Sequence, residues 1–259
     1  MRKTALVTGA TNGIGYELAR QFAQEKYDLV IVARHRSDLE SVASTLEQEW
    51  NIRVTVLPSD LSEHGAPTKI AAELKKKKMN VDILVNNAGF GLFGSFSETD
   101  VEKELNMIHL NIISLTHLTK LLLPGMLKRK SGRILNVAST ASFMPGPFSA
   151  VYFATKAYVL SFSEALSNEL SGTGVEASAL CPGATKTGFE SRSEGAGTGL
   201  FKANPHLMTA EQVAKAAFKG LMKGKRIIIP GWRNAVQIFL LRFAPRSLVT
   251  KIVRSVVGK

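Results

Sequence analysis

Short apolar runs, most of them rich in β-branched residues, alternate along this chain with longer stretches whose apolar positions recur at helical spacing. The runs are Ala5–Val7, Leu29–Val32, Val54–Leu57, Ile83–Val85, Arg133–Val137, Val175–Leu180 and Arg226–Ile229. Most are almost continuously apolar, as parallel strands buried on both faces are. The helical stretches fall near 14–25, 38–49, 67–77, 101–128, 152–170 and 209–222. The alternation predicts an α/β fold: a doubly wound parallel sheet of about seven strands in a three-layer α/β/α arrangement. Segment 188–206, with Gly195, Gly197 and Gly199, reads as a mobile loop within one domain rather than a linker. The expected organisation is a main unit over 1–231 and an extension of the same domain over 232–259.

The extension has its own pattern. Trp232, Val236, Phe239, Leu240 and Phe243 recur at helical spacing, and Pro245 is placed to open a second helix. There Leu248, Val249, Ile252, Val253, Val256 and Val257 form an apolar stripe opposite Ser247, Thr250, Lys251 and Arg254. Charge sharpens this picture. The 259 residues carry a net +12, which by itself suggests a polyanion or a membrane surface. Residues 1–200, however, hold 21 Lys and Arg against 20 acids, whereas 201–259 hold 12 against the single acid Glu211. Within the extension Arg233, Arg242, Arg246, Lys251, Arg254 and Lys259 face no acid at all. Three readings compete: helices that cap the pocket or a subunit interface, a surface lying on an anionic membrane, and a dock for an acidic partner such as an acyl carrier protein. Nucleic acid is not expected, because aromatic residues do not interleave with the basic ones.

Other classes fall away. Cys181 is the one cysteine, so there is no disulfide framework or multi-cysteine metal site. His35, His64, His109, His117 and His206 make no ligand set, and no metal is expected. Met1-Arg2-Lys3 leads directly into strand-like Thr4–Thr8, without a secretory core. The longest stretch without Lys, Arg, Asp or Glu, Ile134–Thr155, contains Pro145, Gly146 and Pro147 and does not read as a spanning helix. The expected location is the cytoplasm, with peripheral membrane contact through 232–259 as the variant.

The first strand ends in Thr8-Gly9-Ala10-Thr11-Asn12-Gly13-Ile14-Gly15, and a helix follows. Glycines at such a turn let backbone approach a pyrophosphate, and the helix start offers unpaired N–H groups. Further on come Asp60-Leu61 after the third strand and Asn86-Asn87-Ala88-Gly89 after the fourth. Asn111 lies on the next long helix and Ser139 follows the fifth strand. Tyr152 and Lys156 form Tyr-x-x-x-Lys, and Pro182-Gly183, Thr185 and Thr187 follow the sixth strand. In this order the chain resembles the short-chain dehydrogenase/reductase family, whose opening motif is Thr-Gly-x-x-x-Gly-x-Gly; the resemblance spans residues 4 to 187. It implies a Rossmann-type catalytic domain that transfers a hydride between a nicotinamide cofactor and a ketone, aldehyde or alcohol. Gly9, Thr11, Asn12, Gly13, Ile14, Gly15, Asp60, Leu61, Asn87, Ala88, Gly89, Pro182, Gly183, Thr185 and Thr187 are then the cofactor residues, together with Tyr152 and Lys156.

At the end of the second strand Ala33 stands where an acid would bind the free 2′-hydroxyl of NAD, and Arg34 follows. An arginine there pairs with a 2′-phosphate, so NADP(H) is expected over NAD(H). Asn12 leaves the glycine loop without the basic residue that some NADP-dependent relatives carry.

Tyr152 and Lys156, four apart, share one helix face. A phenol is a poor base at neutral pH, and a nearby ammonium lowers its pKa. The resemblance makes Tyr152 the acid/base, Lys156 its modifier and the holder of the ribose, Ser139 the partner of the reacting oxygen, and Asn111 the holder of a relay water. Asn106 competes for the last role, and Thr140 and Ser142 flank Ser139. The loops that carry substrate contacts in the family are apolar here: Phe90-Gly91-Leu92-Phe93-Gly94 and Phe143-Met144-Pro145-Gly146-Pro147-Phe148, then Phe189, Leu200 and Phe201. A lipophilic carbonyl or alcohol, of the 3-oxoacyl or hydroxysteroid kind, fits that lining. Members commonly pair through the helices near 101–128 and 152–170, so a homodimer or homotetramer is implied. Two alternatives of another class are a non-catalytic NADP-binding sensor or scaffold and a peripheral membrane protein on the same fold.

Overall fold

The computed structural model describes residues 2–189, 193 and 207–258. The central sheet takes β1 (Thr4–Thr8), β2 (Asp28–Ala33), β3 (Val54–Pro58), β4 (Ile83–Asn86), β5 (Gly132–Val137), β6 (Val175–Leu180) and β9 (Ile227–Ile228). Its order is β3-β2-β1-β4-β5-β6-β9, parallel throughout. Alternate residues of β1 show why these runs are apolar on both sides. Ala5 and Val7 join the core under α1 (Gly13–Gln24), α2 (Arg36–Trp50) and α7 (Ala210–Met222). Leu6 joins the opposite core under α3 (Ala66–Lys76), α5 (Leu115–Arg129) and α6 (Ala150–Glu169). Both faces are covered, so neither tolerates a polar alternation. The expected seven-stranded, three-layer architecture is the observed one, with strand and helix ends within a residue or two of expectation.

Three local features were not anticipated. The long helix predicted over 101–128 is α4 (Val101–Ile108), a π-helical turn (His109–Ser114) and α5. A π-turn inserts an extra residue and turns side chains out of α-helical register, and apolar spacing does not reveal it. Residues 140–143 form a 3-10 turn capped by Ser139. A two-stranded parallel sheet pairs β7 (Thr185–Lys186) with β8 (Met208–Thr209), tying the chain after β6 to the start of α7. The stretch Val101–Arg129 is the one helix among the described residues long and apolar enough to cross a membrane. Its Met107, Leu118 and Met126 are nevertheless buried in the helix layer of this fold.

The extension folds as two helices, α8 (Trp232–Leu241) and α9 (Arg246–Val257), with Pro245 at the N-cap of the second. Half of the expected apolar stripe on α9 is buried. Val249, Val253 and Val257 pack with Leu92, Met107, Tyr152 and Phe153, while Leu248, Ile252 and Val256 stay exposed.

The sheet order reverses between β1 and β4, and the loops leaving their carboxyl ends diverge there. In open α/β sheets that divergence is where a crevice forms.

Candidate active site

The crevice is a cavity of about 1040 Å³ above the carboxyl ends of β1, β2, β4, β5 and β6. One end is backbone-lined. Gly9 takes φ +66°, and a Cβ on Gly15 would overlap the carbonyl of Gly9 and the amide of Asn87. The turn therefore closes only without side chains at these positions. Asn87 locks it: its Nδ2 donates to the carbonyls of Thr8 at 3.0 Å and Gly9 at 3.1 Å. Thr8 Oγ1 in return accepts the N–H groups of Asn87 and Ala88, both at 3.0 Å. Thr8 opens the motif read from sequence but was given no role there; a hydroxyl on the last residue of an otherwise apolar strand was the available signal. Asn86, one residue earlier in the motif, points the other way. Its Nδ2 donates to Thr119 Oγ1 at 2.9 Å and Asn136 Oδ1 at 2.8 Å, and Asn136 Nδ2 donates to Ser163 Oγ at 2.9 Å. This buried ladder pins β4 and β5 to α5 and α6 beneath the cavity, a satisfied polar network in an apolar core.

All of the expected cofactor positions border this space: Gly9, Thr11, Asn12, Gly13, Ile14, Gly15, Arg34, Asp60, Leu61, Asn87, Ala88, Gly89, Tyr152, Lys156, Pro182, Gly183, Thr185 and Thr187. Asp60 Oδ1 accepts from Ser62 N at 2.9 Å and Ser62 Oγ at 2.6 Å, which fixes the loop over one wall. Arg34 is exposed and has no ion-pair partner among the described residues, whereas Arg36 is occupied by Glu40 at 3.3 Å. The bare glycine turn, the helix start and the strand-end arginine fit a phosphate-bearing dinucleotide.

At the other end Tyr152, Lys156 and Ser139 converge. Lys156 Nζ donates to the Val137 carbonyl at 2.8 Å and lies 5.9 Å from the centre of the Tyr152 ring. Both side chains are buried. The expected lowering of the phenol is not what the fold produces: burial pushes Tyr152 up to about 12, against the pull of its hydrogen bond to Ser139. Burial also brings Lys156 down to about 8. Loss of water outweighs the Ser139 hydrogen bond at Tyr152 and the charge effect of Cys181 at Lys156.

Ser139 borders the cavity and accepts the Ala141 N–H at 3.1 Å. Ser142, read from sequence as a rival, is instead a brace. Its Oγ accepts the Ser139 N–H at 3.3 Å and donates to the Lys156 carbonyl at 2.7 Å. Asn111 lies on the π-turn, buried behind the cavity rather than on its wall. Its Nδ2 donates to Phe90 O at 3.0 Å and Thr155 Oγ1 at 3.1 Å, and its Oδ1 accepts Phe90 N at 3.2 Å. Asn106 sits on the wall but is exposed. Cys181 is fully buried and its thiol is pushed up to about 12 by that burial, so it remains protonated.

The apolar wall needs correcting in detail. Phe90, Leu92, Phe93, Met144 and Phe189 line the cavity; Phe143 and Phe148 do not. Phe143 packs against the cluster of Leu115, Val159 and Leu160, and Phe148 lies beneath Arg254 of α9. Leu200 and Phe201, with the rest of residues 194–206, fall outside the described residues. Phe153 was missed, whereas the pocket-capping reading of the extension agrees with the wall that Asn234, Gln237, Ile252, Val253, Val256 and Val257 contribute. Asn234 lies directly over Gly183, its Nδ2 donating to Pro230 O at 2.7 Å. Two amides, Asn234 and Gln237, in a helix otherwise apolar and basic were the legible hint.

A bare glycine cradle joined to Ser139 and to buried Tyr152 and Lys156 is an arrangement consistent with a dehydrogenase or reductase. Residues 3–196 match the family model for short chain dehydrogenase, and the chain belongs to that family. A dehydrogenase or reductase function and a nicotinamide cofactor follow from that membership. Among curated relatives, a very-long-chain 3-oxoacyl-CoA reductase-like protein of Arabidopsis thaliana is 32% identical, covering 95% of this chain and 78% of that one. The ketoacyl reductase HetN of Nostoc is 34% identical over 70% of this chain; the match covers 63% of HetN. A solved short-chain dehydrogenase from Sphingobium yanoikuyae, in complex with NADPH, is 32% identical. It superposes with a TM-score of 0.83 over 95% of this chain and 94% of that one.

Proposed function

We propose that this protein is an NADPH-preferring reductase of lipophilic ketones or aldehydes that also runs in reverse on the alcohols. The observation that carries the reading is that buried Tyr152 and Lys156 meet half-buried Ser139 at one end of a cavity with an apolar wall, whose far end is a bare glycine cradle. The nicotinamide, when bound, supplies or accepts the hydride. Gly9–Gly15, Asn87–Gly89 and Pro182–Thr187 hold the cofactor, and Arg34 takes its 2′-phosphate. Tyr152, kept protonated by burial, gives its proton to the substrate oxygen as hydride arrives. Ser139 holds that oxygen, Lys156 grips the ribose and assists the phenol, and Asn111 positions the Phe90 loop and the water that resupplies the proton. NADPH in the Sphingobium neighbour supports the cofactor choice, as does the absence of an acid at Ala33. The names of the two curated relatives support an acyl-type substrate.

In this reading residues 1–231 are the catalytic unit and 232–259 an extension of the same domain, and the enzyme works in the cytoplasm. Exposed Leu105, Ile113, Leu121 and Leu127 on α4–α5 and Tyr158 on α6 support a homodimer or homotetramer through those helices.

The test is a panel of ketones and alcohols of increasing chain length with NADPH and NADH. Turnover is expected with NADPH, rising with chain length, and Tyr152→Phe is expected to lower kcat by about 10²- to 10⁴-fold. Arg34→Asp is expected to reverse the preference between the two cofactors. Cofactor binding without turnover across the panel would overturn the reading.

A further inference from the structure

We propose that α8 and α9 form a docking surface for an anionic lipid bilayer, and that the outer wall of the cavity is part of that surface. Helix α8 has two distinct faces. At about 100° per residue, Trp232, Val236, Phe239, Leu240 and Phe243 fall on one arc, while Asn234, Ile238 and Leu241 fall on the opposite one. The second arc meets the body: Ile238 is buried and Asn234 lies over Gly183. The first arc faces outward, with Trp232 and Phe243 each 73% exposed. It is therefore not the rim of a core contact. On α9 the apolar arc is wider than the body covers, so that Leu248, Ile252 and Val256 remain exposed beside buried Val249, Val253 and Val257. Ile252 and Val256 also line the cavity.

Charge decides the occupant. Arg233, Arg242, Arg246, Lys251 and Arg254 lie on these helices, and none pairs with a carboxylate among the described residues. Residues 212–259 contain no Asp or Glu. Arg233 sits 5.5 Å over the Trp232 ring, joining a cation to an amphipathic aromatic; that combination suits a headgroup boundary. A second copy of the same face would bring five cations against five and leave them unneutralised. An anionic bilayer satisfies the apolar arc and the cations together. The proposal is independent of turnover, so its failure leaves the oxidoreductase reading standing.

The experiment is co-sedimentation of the full chain with vesicles of phosphatidylcholine alone and of phosphatidylcholine with phosphatidylglycerol. Binding is expected to be about tenfold or more stronger to the anionic vesicles, and to be reversed by high salt. Replacing Trp232, Phe239 and Phe243 together by Ser is expected to lower binding about tenfold while leaving NADPH-dependent turnover of a water-soluble ketone unchanged. Should that triple variant fail to fold, Arg233→Gln with Arg242→Gln is expected to erase the anionic preference. A wild-type protein that stays in the supernatant at low salt would overturn the proposal. So would vesicle binding that survives the foldable variants, or a dimer that dissociates when Trp232, Phe239 and Phe243 are replaced.

Discussion

The two ends of the cavity are held by opposite means. The cradle end is fixed by backbone geometry and short polar contacts, from the positive φ of Gly9 to the Asn87 amide on Thr8 and Gly9. The roof contributed by α8 and α9 is fixed by aliphatic packing of Val249, Val253 and Val257 on Leu92 and Phe153, with little directional bonding. A hydrogen-bonded backbone turn admits one arrangement and one ligand shape. Aliphatic packing tolerates a range of shapes. Under the proposed function, that difference would suit a single cofactor at one end and a range of substrates at the other.

The largest expected effect breaks the cradle. Gly15→Ala places a methyl group against the Gly9 carbonyl and the Asn87 amide. Its dissociation constant for NADPH, measured by fluorescence titration, is expected to rise roughly 100-fold, about 2.7 kcal/mol, with far-UV circular dichroism retained. Wild-type affinity in this variant would show that the turn is looser than its hydrogen bonds imply.

Next is the buried pair at the junction of the two ends. An unfolded lysine keeps its proton to about pH 10.5, the folded Lys156 only to about 8. Between those values the unfolded chain binds more protons, so stability rises with pH; below pH 8 both states are protonated and the burial cost is fully present. Tyr152 acts in the opposite sense. Its folded value of about 12 lies above the ordinary 10.0, so stability falls as pH rises through that window. Lys156→Met removes only the first effect. The stability gap between this variant and wild type, both cofactor-free, is expected to shift by on the order of 2–3 kcal/mol between pH 8 and 10.5 in urea titrations. A gap independent of pH would mean that Lys156 reaches water in solution.

The cradle was legible in the sequence because its requirements are local. Gly9, Gly13 and Gly15 at fixed spacing after an apolar run, and Tyr152 four residues from Lys156, state their geometry without knowledge of distant partners. The roof was only half legible. Spacing predicts that Val249, Val253 and Val257 share a helix face, but not that they face Leu92 and Phe153 from far along the chain. For the same reason Phe143 and Phe148 were placed on the wall and are not: composition identifies an apolar loop, and only packing decides which of its rings turns inward. Ser142 and the π-turn carrying Asn111 were hidden too. One depends on a bond to the Lys156 backbone, the other on a hydrogen-bond register that leaves the apolar pattern unchanged.

The smallest effect tests the roof alone. Val253 is buried, lines the cavity and packs in the cluster of Leu92 and Phe153. Val253→Ala removes two methyl groups from a site that aliphatic neighbours can partly refill, so the expected loss is about 1–2 kcal/mol in unfolding free energy. Its KM for a long-chain ketone is expected to rise about threefold, because the same methyl groups face the substrate side. Its KM for NADPH is expected to stay at the wild-type value. Gly15→Ala should give the reverse pattern, with cofactor binding lost and little change in the preference among ketone chain lengths. If Val253→Ala weakens NADPH as much as the ketone, the roof and the cradle are mechanically coupled through Tyr152, which touches Phe153 and Phe189 on one side and Lys156 on the other.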